Sequence, residues 1–120
     1  MGAVNGYNCS ENDSLANIYN YVTVLPLGNY SQVGQTATFS LDVTKAKVVR
    51  VQCGWNSEAN NSGTHYDYYP AIDTAAVYCT TYIVRTQLQY VVFSFPTKNS
   101  IKIIASSNTD IGIRRVDAVF

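Results

Sequence analysis

The stretch AAVYCTTYIVRTQLQYVVFSF, from Ala75 to Phe95, is the longest continuous run of β-forming residues in the chain. Valine, isoleucine, threonine, tyrosine and phenylalanine make up most of it, and these side chains favour extended strands. The pattern predicts two antiparallel strands joined by a tight reversal near Thr86–Leu88. Neither strand alternates cleanly between apolar and polar residues, so both faces carry apolar or amphipathic side chains. Such a hairpin is expected inside a sandwich or against a partner subunit.

Shorter runs of the same kind flank this hairpin on both sides. Two of them alternate between apolar and polar positions, as half-buried strands do, and their short connection predicts that they pair antiparallel: Gln35–Leu41 and Ala46–Trp55. Further strands are predicted at Ile18–Leu25, His65–Ile72, Ser100–Ala105 and Ile111–Phe120. Because Pro70 interrupts the second of these, we expect an edge strand or an extended loop there. About eight strands without a convincing helix predict an all-β fold, an antiparallel β-sandwich of jelly-roll-like type.

The length of the chain indicates one domain. A chain of 120 residues can bury enough surface for an independent core without disulfides or metals. Residues 1–17 are rich in Gly, Asn and Ser and show no hydrophobic period, which predicts an N-terminal arm or loop. Residues 18–120 are predicted to form the single β-sandwich domain.

Charge is scarce and balanced. Only 13% of the residues are charged and the formal net charge is zero, whereas phosphate recognition needs a field of Lys and Arg. We therefore expect no nucleic-acid partner. No apolar run is long enough to span a membrane, and the first residues lack the basic start and apolar core of a signal peptide, so we expect no membrane insertion.

The three cysteines predict neither a disulfide framework nor a zinc site. Cys9, Cys53 and Cys79 are odd in number and show no CxxC spacing. Cys53 and Cys79 fall inside strand patterns, where thiols commonly act as small apolar residues. We expect both to be reduced and buried.

Few residues of the sequence are candidates for catalysis. His65 is the only histidine, and no GxSxG nucleophile elbow accompanies it. Glu58 and Asp67 flank one loop region and could in principle form a glycosidase pair, but such pairs arise by chance in any domain. No calcium-loop, HxH or CxxC spacing is present. The sequence therefore predicts a protein that is not an enzyme and carries no metal or cofactor.

The polar, aromatic segment Asn56–Tyr69 is the best candidate for a binding site. Tyrosine rings offer stacking faces, and Asn, Asp and His offer directed hydrogen bonds, which are the groups that a sugar needs. In an extended segment Tyr66 and Tyr68 share one side, with Asp67 opposite. The tyrosines then form either a stacking platform or a cover for the core or a subunit contact. The candidate ligand-binding residues are Asn60, Asn61, His65, Tyr66, Asp67, Tyr68 and Tyr69.

One short match to antibodies does not extend along the chain. DTAAVYC, at residues 73–79, resembles the segment before the second cysteine of immunoglobulin variable domains. In that family the partner cysteine lies much farther upstream than Cys53, with a tryptophan between the two, whereas Trp55 follows Cys53 closely. We attribute the match to a buried strand that follows a turn containing Asp73.

The C-terminal part, SFPTKNSIKIIASSNTDIGIRRVDAVF, resembles the closing strands of phage tail-fibre and receptor-binding tip domains. The whole chain is similar to that group in size, low charge and richness in Asn, Ser, Thr and Tyr. The resemblance implies a virion protein made in the host cytoplasm, a homo-oligomer of trimeric type, and recognition of a host-surface saccharide. A capsid decoration or assembly protein, whose partners are other virion proteins, is the alternative. The two classes differ in whether the isolated protein binds glycans.

Overall fold

The computed structural model describes residues 3–5, 7–8, 20–55, 64–69, 72–84 and 86–120. They form ten strands and one 3-10 turn. The strands are β1 (Ala3–Asn5), β2 (Tyr7–Asn8), β3 (Val22–Leu25), β4 (Thr36–Thr38), β5 (Val48–Trp55), β6 (Thr64–Tyr68), β7 (Val77–Val84), β8 (Gln87–Ser94), β9 (Ser100–Ser106) and β10 (Ile111–Val119), and the 3-10 turn is Val43–Lys45. No helix in this described part of the chain is long and apolar enough to cross a membrane.

The strands form two sheets that face each other. The first sheet has the order β1-β7-β8-β9-β4, and the second has the order β2-β6-β5-β10-β3. The eight strands from β3 to β10 pair antiparallel throughout, while β1 pairs parallel with β7. The predicted all-β sandwich is confirmed. Of the predicted arm at residues 1–17, only the short strands β1 and β2 lie among the described residues.

The predicted central hairpin is present, but its reversal comes earlier than predicted, because Gln87 and Leu88 already belong to β8. Strands β7 and β8 pair along their whole length, from Val77 opposite Ser94 to Val84 opposite Gln87. Only two residues remain for the loop, and Thr86 there adopts a φ of 68°. Tight hairpin loops need positive φ because it matches the twist of the strands, although a β-branched residue adopts it only with strain.

The predicted pairing of β4 with β5 is wrong. Strand β4 pairs with β9 in the first sheet, whereas β5 lies between β6 and β10 in the second. The connection crosses between the sheets through the 3-10 turn, where the Val43 side chain is fully buried. Asp42 caps this turn by accepting a hydrogen bond from the Thr44 amide at 3.0 Å. The hydrogen bonds from Thr44 hold the pKa of Asp42 below its usual value.

Strand β3 also differs from its prediction. It spans Val22–Leu25, and residues 18–19 of the predicted strand lie outside the described part of the chain. Val24 and Leu25 are both buried, whereas Val22 is 44% exposed, so Val22 and Val24 do not share a buried face. Val116 and Asp117 are consecutive on β10 but pair with Leu25 and Thr23, so Val24 is an extra residue on β3. Such a bulge allows Val24 and the next residue, Leu25, both to be buried.

The core between the sheets combines aliphatic side chains with a cluster of aromatic rings. Tyr78 and Phe93 are cross-strand partners in the first sheet, with ring centroids 5.9 Å apart. Tyr68 from the second sheet approaches both edge-on, at 5.3 Å from Tyr78 and 5.8 Å from Phe93. Phe95 completes the cluster at 5.8 Å from Phe93. Aromatic pairs in these geometries contribute about 0.5–1.5 kcal/mol each beyond their area burial.

The segment after β3 packs tightly against β10. The Ile113 amide donates to the Tyr30 carbonyl at 2.9 Å, and the Gly28 amide donates to the Arg114 carbonyl at 2.8 Å. A Cβ atom on Gly112 would lie 2.3 Å from the Tyr30 carbonyl oxygen and 2.6 Å from the Ser31 Cα. Because both of these atoms belong to the backbone, no side-chain rotation can relieve the overlap.

We expect Gly112→Ala to lower the free energy of unfolding by about 3 kcal/mol, because the chain must separate from β10 to admit the methyl group. Gly34→Ala is the matched control. Gly34 has a φ of 88° but no atom within 4 Å of its Cβ position, so its substitution costs only the left-handed strain of about 1 kcal/mol. Urea unfolding measures both values. An equal loss in the two variants would contradict the close approach at Gly112.

Candidate functional site

Strand β6 carries most of the predicted ligand-binding residues. His65, Tyr66, Asp67 and Tyr68 lie within it, and Tyr69 follows its last residue. The strand pairs with β5 on one side and with the short β2 on the other. Asn60 and Asn61 lie outside the described residues. The alternation of the strand sends successive side chains to opposite faces of the second sheet.

Tyr66 and Tyr68 turn toward the first sheet. Tyr68 is 3% exposed, and its hydroxyl donates to the Cys79 carbonyl at 3.0 Å. Tyr66 is half-buried against the core, and its hydroxyl lies 2.7 Å from the Thr81 hydroxyl. These two tyrosines therefore cover the core, which is one of the two roles that the sequence left open for them. The buried ring of Tyr68 has no face available for a ligand.

Asp67 lies on the opposite face of the second sheet, as the alternation predicts. It is 4% exposed and pairs with Arg50, its cross-strand partner on β5. The Arg50 Nε donates to Asp67 Oδ1 at 2.9 Å, and Nη2 donates to Oδ2 at 3.2 Å. Tyr21 covers the pair. Its hydroxyl donates to Asp67 Oδ2 at 3.0 Å, and its ring lies 4.3 Å from the guanidinium carbon.

Sequence reasoning missed this cluster, although a signal was present. Val49 and Val51 alternate with Arg50, which places Arg50 on the outer face of its strand. The same alternation places Asp67 on the outer face of the neighbouring strand. A bidentate, buried ion pair of this kind fixes the register between two strands. Asp67 is thereby engaged within the protein rather than directed at a ligand.

Tyr69 is the most exposed of the described members of the predicted site. The Tyr69 side chain is 59% exposed. His65 lies opposite Gln52 on β5 and is half-buried. The Tyr69 ring is more exposed than those of Tyr66 and Tyr68, so it can present a face to a ligand in solution.

The two described cysteines are not joined to each other by a disulfide, and their surroundings differ. Cys53 is fully buried, and the Thr80 hydroxyl donates to its sulfur at 3.4 Å. Cys79 is only half-buried, so the expectation of two buried thiols holds for Cys53 and is wrong for Cys79. Burial raises the pKa of the Cys79 thiol. A raised pKa keeps this thiol protonated and lowers its reactivity at neutral pH.

The outer side of the first sheet presents large apolar side chains to solvent. We call this surface the outer apolar face, and it consists of Ile83, Leu88, Tyr90 and Ile104, which are 70%, 60%, 39% and 39% exposed. Ile83 and Leu88 are cross-strand partners beside the hairpin loop. Lys102 is the one charged side chain among the described residues on the outer side of β7, β8 and β9.

Among the described residues, no group of three or more His, Cys, Asp and Glu side chains could hold a metal ion. Compared with protein-family models, with curated proteins and with solved structures, the chain has no significant match. Two described surfaces carry exposed aromatic or apolar side chains: residues 64–69, here called the β6 segment, and the outer apolar face.

Substitutions in the buried ion pair test whether Asp67 has a structural role or a ligand-binding role. We expect Asp67→Leu and Arg50→Met each to lower the free energy of unfolding by about 3–5 kcal/mol, because each leaves one buried charge unpaired. The double variant should cost far less than the sum, because it removes both charges together. Urea unfolding of the four proteins gives the coupling energy. Additive losses would show that the two charges act independently.

Proposed function

We propose that this chain is a non-enzymatic binding domain of the type found at the tips of phage tail fibres. In this proposal it works as a homotrimer on the virion and recognises a saccharide of the host surface. The observation that carries the proposal is the outer apolar face, because a small domain rarely exposes several large, adjacent apolar side chains unless another surface covers them.

A second copy of the chain is the covering surface in this proposal. Ile83 and Leu88 stand side by side on neighbouring strands, so together they form one apolar ridge. Removing the exposed part of each from water contributes on the order of 1–2 kcal/mol. A nearly uncharged face can meet its own copy without opposing like charges. These properties support self-association through the outer apolar face.

The exposed ring of Tyr69 supports the saccharide part of the proposal. A tyrosine ring stacks on the C–H face of a sugar, and polar side chains of the same segment can bond its hydroxyl groups. A single stacked ring contributes only about 1–3 kcal/mol, by analogy with base–aromatic stacking. Each site would therefore bind weakly, and three linked copies would raise the overall affinity through multivalency.

Two features support the absence of catalysis. Asp67, one member of the carboxylate pair considered from the sequence, is engaged by Arg50 and Tyr21. The raised pKa of Cys79 is opposite to the lowered pKa of a catalytic thiolate.

A structural virion subunit is the second candidate, and the same outer apolar face favours it. In that case the face would dock on a shell or on other virion proteins, and the protein would bind no glycan. Glycan binding by the purified chain therefore separates the two candidates.

We expect the purified protein to bind members of a host-type glycan array, and Tyr69→Ala to reduce that binding at least tenfold, because the stacking ring is lost. The melting temperature of Tyr69→Ala should stay within about 1 °C of wild type, because the removed ring is exposed. Tyr68→Ala is the contrasting neighbour, which should lose about 3–5 kcal/mol of stability. Wild-type protein that binds no glycan would favour the structural subunit.

We expect light scattering at micromolar concentration to give three times the monomer mass of 13.2 kDa. Leu88→Lys should shift the protein to monomer, because it places a charge beside Ile83 in the outer apolar face. Leu27→Lys is the matched control, since Leu27 is 41% exposed outside the outer apolar face. A wild-type monomer, or equal effects of both substitutions, would contradict assembly through this face.

A further inference from the structure

A small pocket lies at the seam between the two sheets, and no sequence pattern marked it. Its volume is about 350 Å³, and its lining residues are Ser31, Gln32, Val33, Ser106 and Thr109. One wall comes from the connection between β3 and β4, and the other comes from the last residue of β9 and the turn that follows it. Both connections pass from one sheet to the other. We propose that this pocket binds one neutral sugar ring, as a saccharide subsite separate from the β6 segment.

The first wall is held in place before any ligand arrives. The Gln35 amide donates to the Gln32 carbonyl at 2.9 Å and closes a tight turn, in which Gly34 has a φ of 88°. The Gly34 amide then donates to the Ile103 carbonyl at 2.8 Å, and the Ile103 amide donates to the Gln35 carbonyl at 2.9 Å. These bonds fasten the turn to β9. A ligand therefore meets a wall whose backbone is already ordered.

The second wall is equally well defined. The Ser106 hydroxyl lies 2.7 Å from the carbonyl oxygens of both Asn108 and Ile111, between which its proton is shared. The Ile111 amide donates to the Asn108 carbonyl at 3.0 Å, and the Asp110 amide donates to Asn108 Oδ1 at 2.9 Å. Pre-organised walls lower the entropic cost of binding, which matters most for a small, weakly bound ligand.

The lining offers the groups that a sugar ring requires. The side chains of Ser31, Gln32 and Thr109 form no hydrogen bond to another described residue, so their donors and acceptors face solvent in the free protein. Val33 is 61% exposed and supplies an apolar surface for the C–H face of a pyranose. A few polar groups around an apolar patch are typical of small-molecule sites, and about 350 Å³ falls at the small end of their range.

The absence of charge in the lining restricts the ligand. None of the five lining residues is Lys, Arg, Asp or Glu. A carboxylate or sulfate group that entered the pocket would lose hydration without gaining an ionic partner from the lining, which is unfavourable. The pocket therefore selects neutral sugars against sialic acid, uronic acids and sulfated sugars.

This inference is independent of the Tyr69 site. The pocket contains no residue of β6 or of the outer apolar face. It is proposed to bind only neutral sugars, whereas the proposed function does not specify the charge of the saccharide. The two saccharide sites can consequently succeed or fail separately. A measurement that reports individual residues distinguishes them.

The test is a titration of the full, ¹⁵N-labelled chain followed through its backbone amide resonances. The probes are methyl glycosides of glucose, galactose and mannose, with N-acetylneuraminic acid and glucuronic acid as charged comparisons. We expect at least one neutral glycoside to shift the amides of residues 31–34 and 106–110, with a dissociation constant in the millimolar range, whereas the acidic sugars leave them unchanged.

A double variant tests the hydrogen-bonding groups. Gln32→Met and Thr109→Val together keep side-chain size but remove two polar groups, and we expect a rise of about tenfold in the dissociation constant. The control combines Gln87→Met and Thr38→Val, which make the same chemical changes at exposed positions outside the lining. The control should bind like wild type, and the amide spectrum reports whether each variant is folded.

Three results would overturn the inference. They are no shift at the pocket with any neutral glycoside, equal shifts with the acidic sugars, and equal weakening by the control variant. Shifts confined to residues 65–69 would support the proposed saccharide function and still exclude this pocket. Shifts confined to the pocket would support this inference and exclude the Tyr69 site. The titration of the wild-type protein shows whether the pocket binds a neutral sugar, even if a variant does not fold.

Discussion

The contact between Tyr68 and the aromatic residues of the first sheet is the constraint on which the rest of the structure depends. The ring of Tyr68, from the second sheet, packs edge-on against the rings of both Tyr78 and Phe93. Its hydroxyl also donates to the Cys79 carbonyl, so one side chain supplies both apolar packing and a polar link between the sheets. Because a buried hydroxyl without a partner is costly, this hydrogen bond restricts how the sheets can slide past each other.

The inward direction of Tyr68 decides the roles of its neighbours on β6. Since strand side chains alternate, Asp67 must point away from the core, where it pairs with Arg50 beneath Tyr21. A shift of one residue in the pairing of β6 would bury Asp67 between the sheets and expose Tyr68. The ion pair and the aromatic cluster therefore favour the same register from opposite faces of one strand. Tyr69 follows the last residue of the strand and keeps its ring exposed.

Assembly and ligand binding use different surfaces in the functions proposed for this chain. The outer apolar face lies beside the hairpin loop between β7 and β8. The positive φ of Thr86 allows this loop to be short, and the short loop places Ile83 opposite Leu88. The pocket at the seam depends instead on two turns that cross between the sheets. Separate surfaces allow several copies to join while each keeps its sites open. Weak sites gain useful strength only when they are linked in this way.

Much of the fold follows from local pattern. The run from Ala75 to Phe95 predicted a hairpin, and placed its reversal within about two residues, because strand propensity depends on neighbouring residues alone. The final strand, β10, was likewise predicted from its own residues. The alternation in β6 predicted that Tyr66 and Tyr68 share one side, with Asp67 on the other. None of these statements requires knowledge of which strands are neighbours in space.

Only the tertiary structure decided which strands are neighbours and which face of each strand is buried. The period of two divides a strand into two faces but does not say which face meets the other sheet, so the sequence left Tyr68 open between a platform and a core residue. The pairing of β4 with β9, the bulge that buries both Val24 and Leu25, and the pocket at residues 31–33 and 106–109 all join segments far apart in the chain. Several strand pairings are equally compatible with the local sequence. The observed pairing is the one in which all strands together bury their apolar side chains between the two sheets, and this burial depends on the whole sandwich.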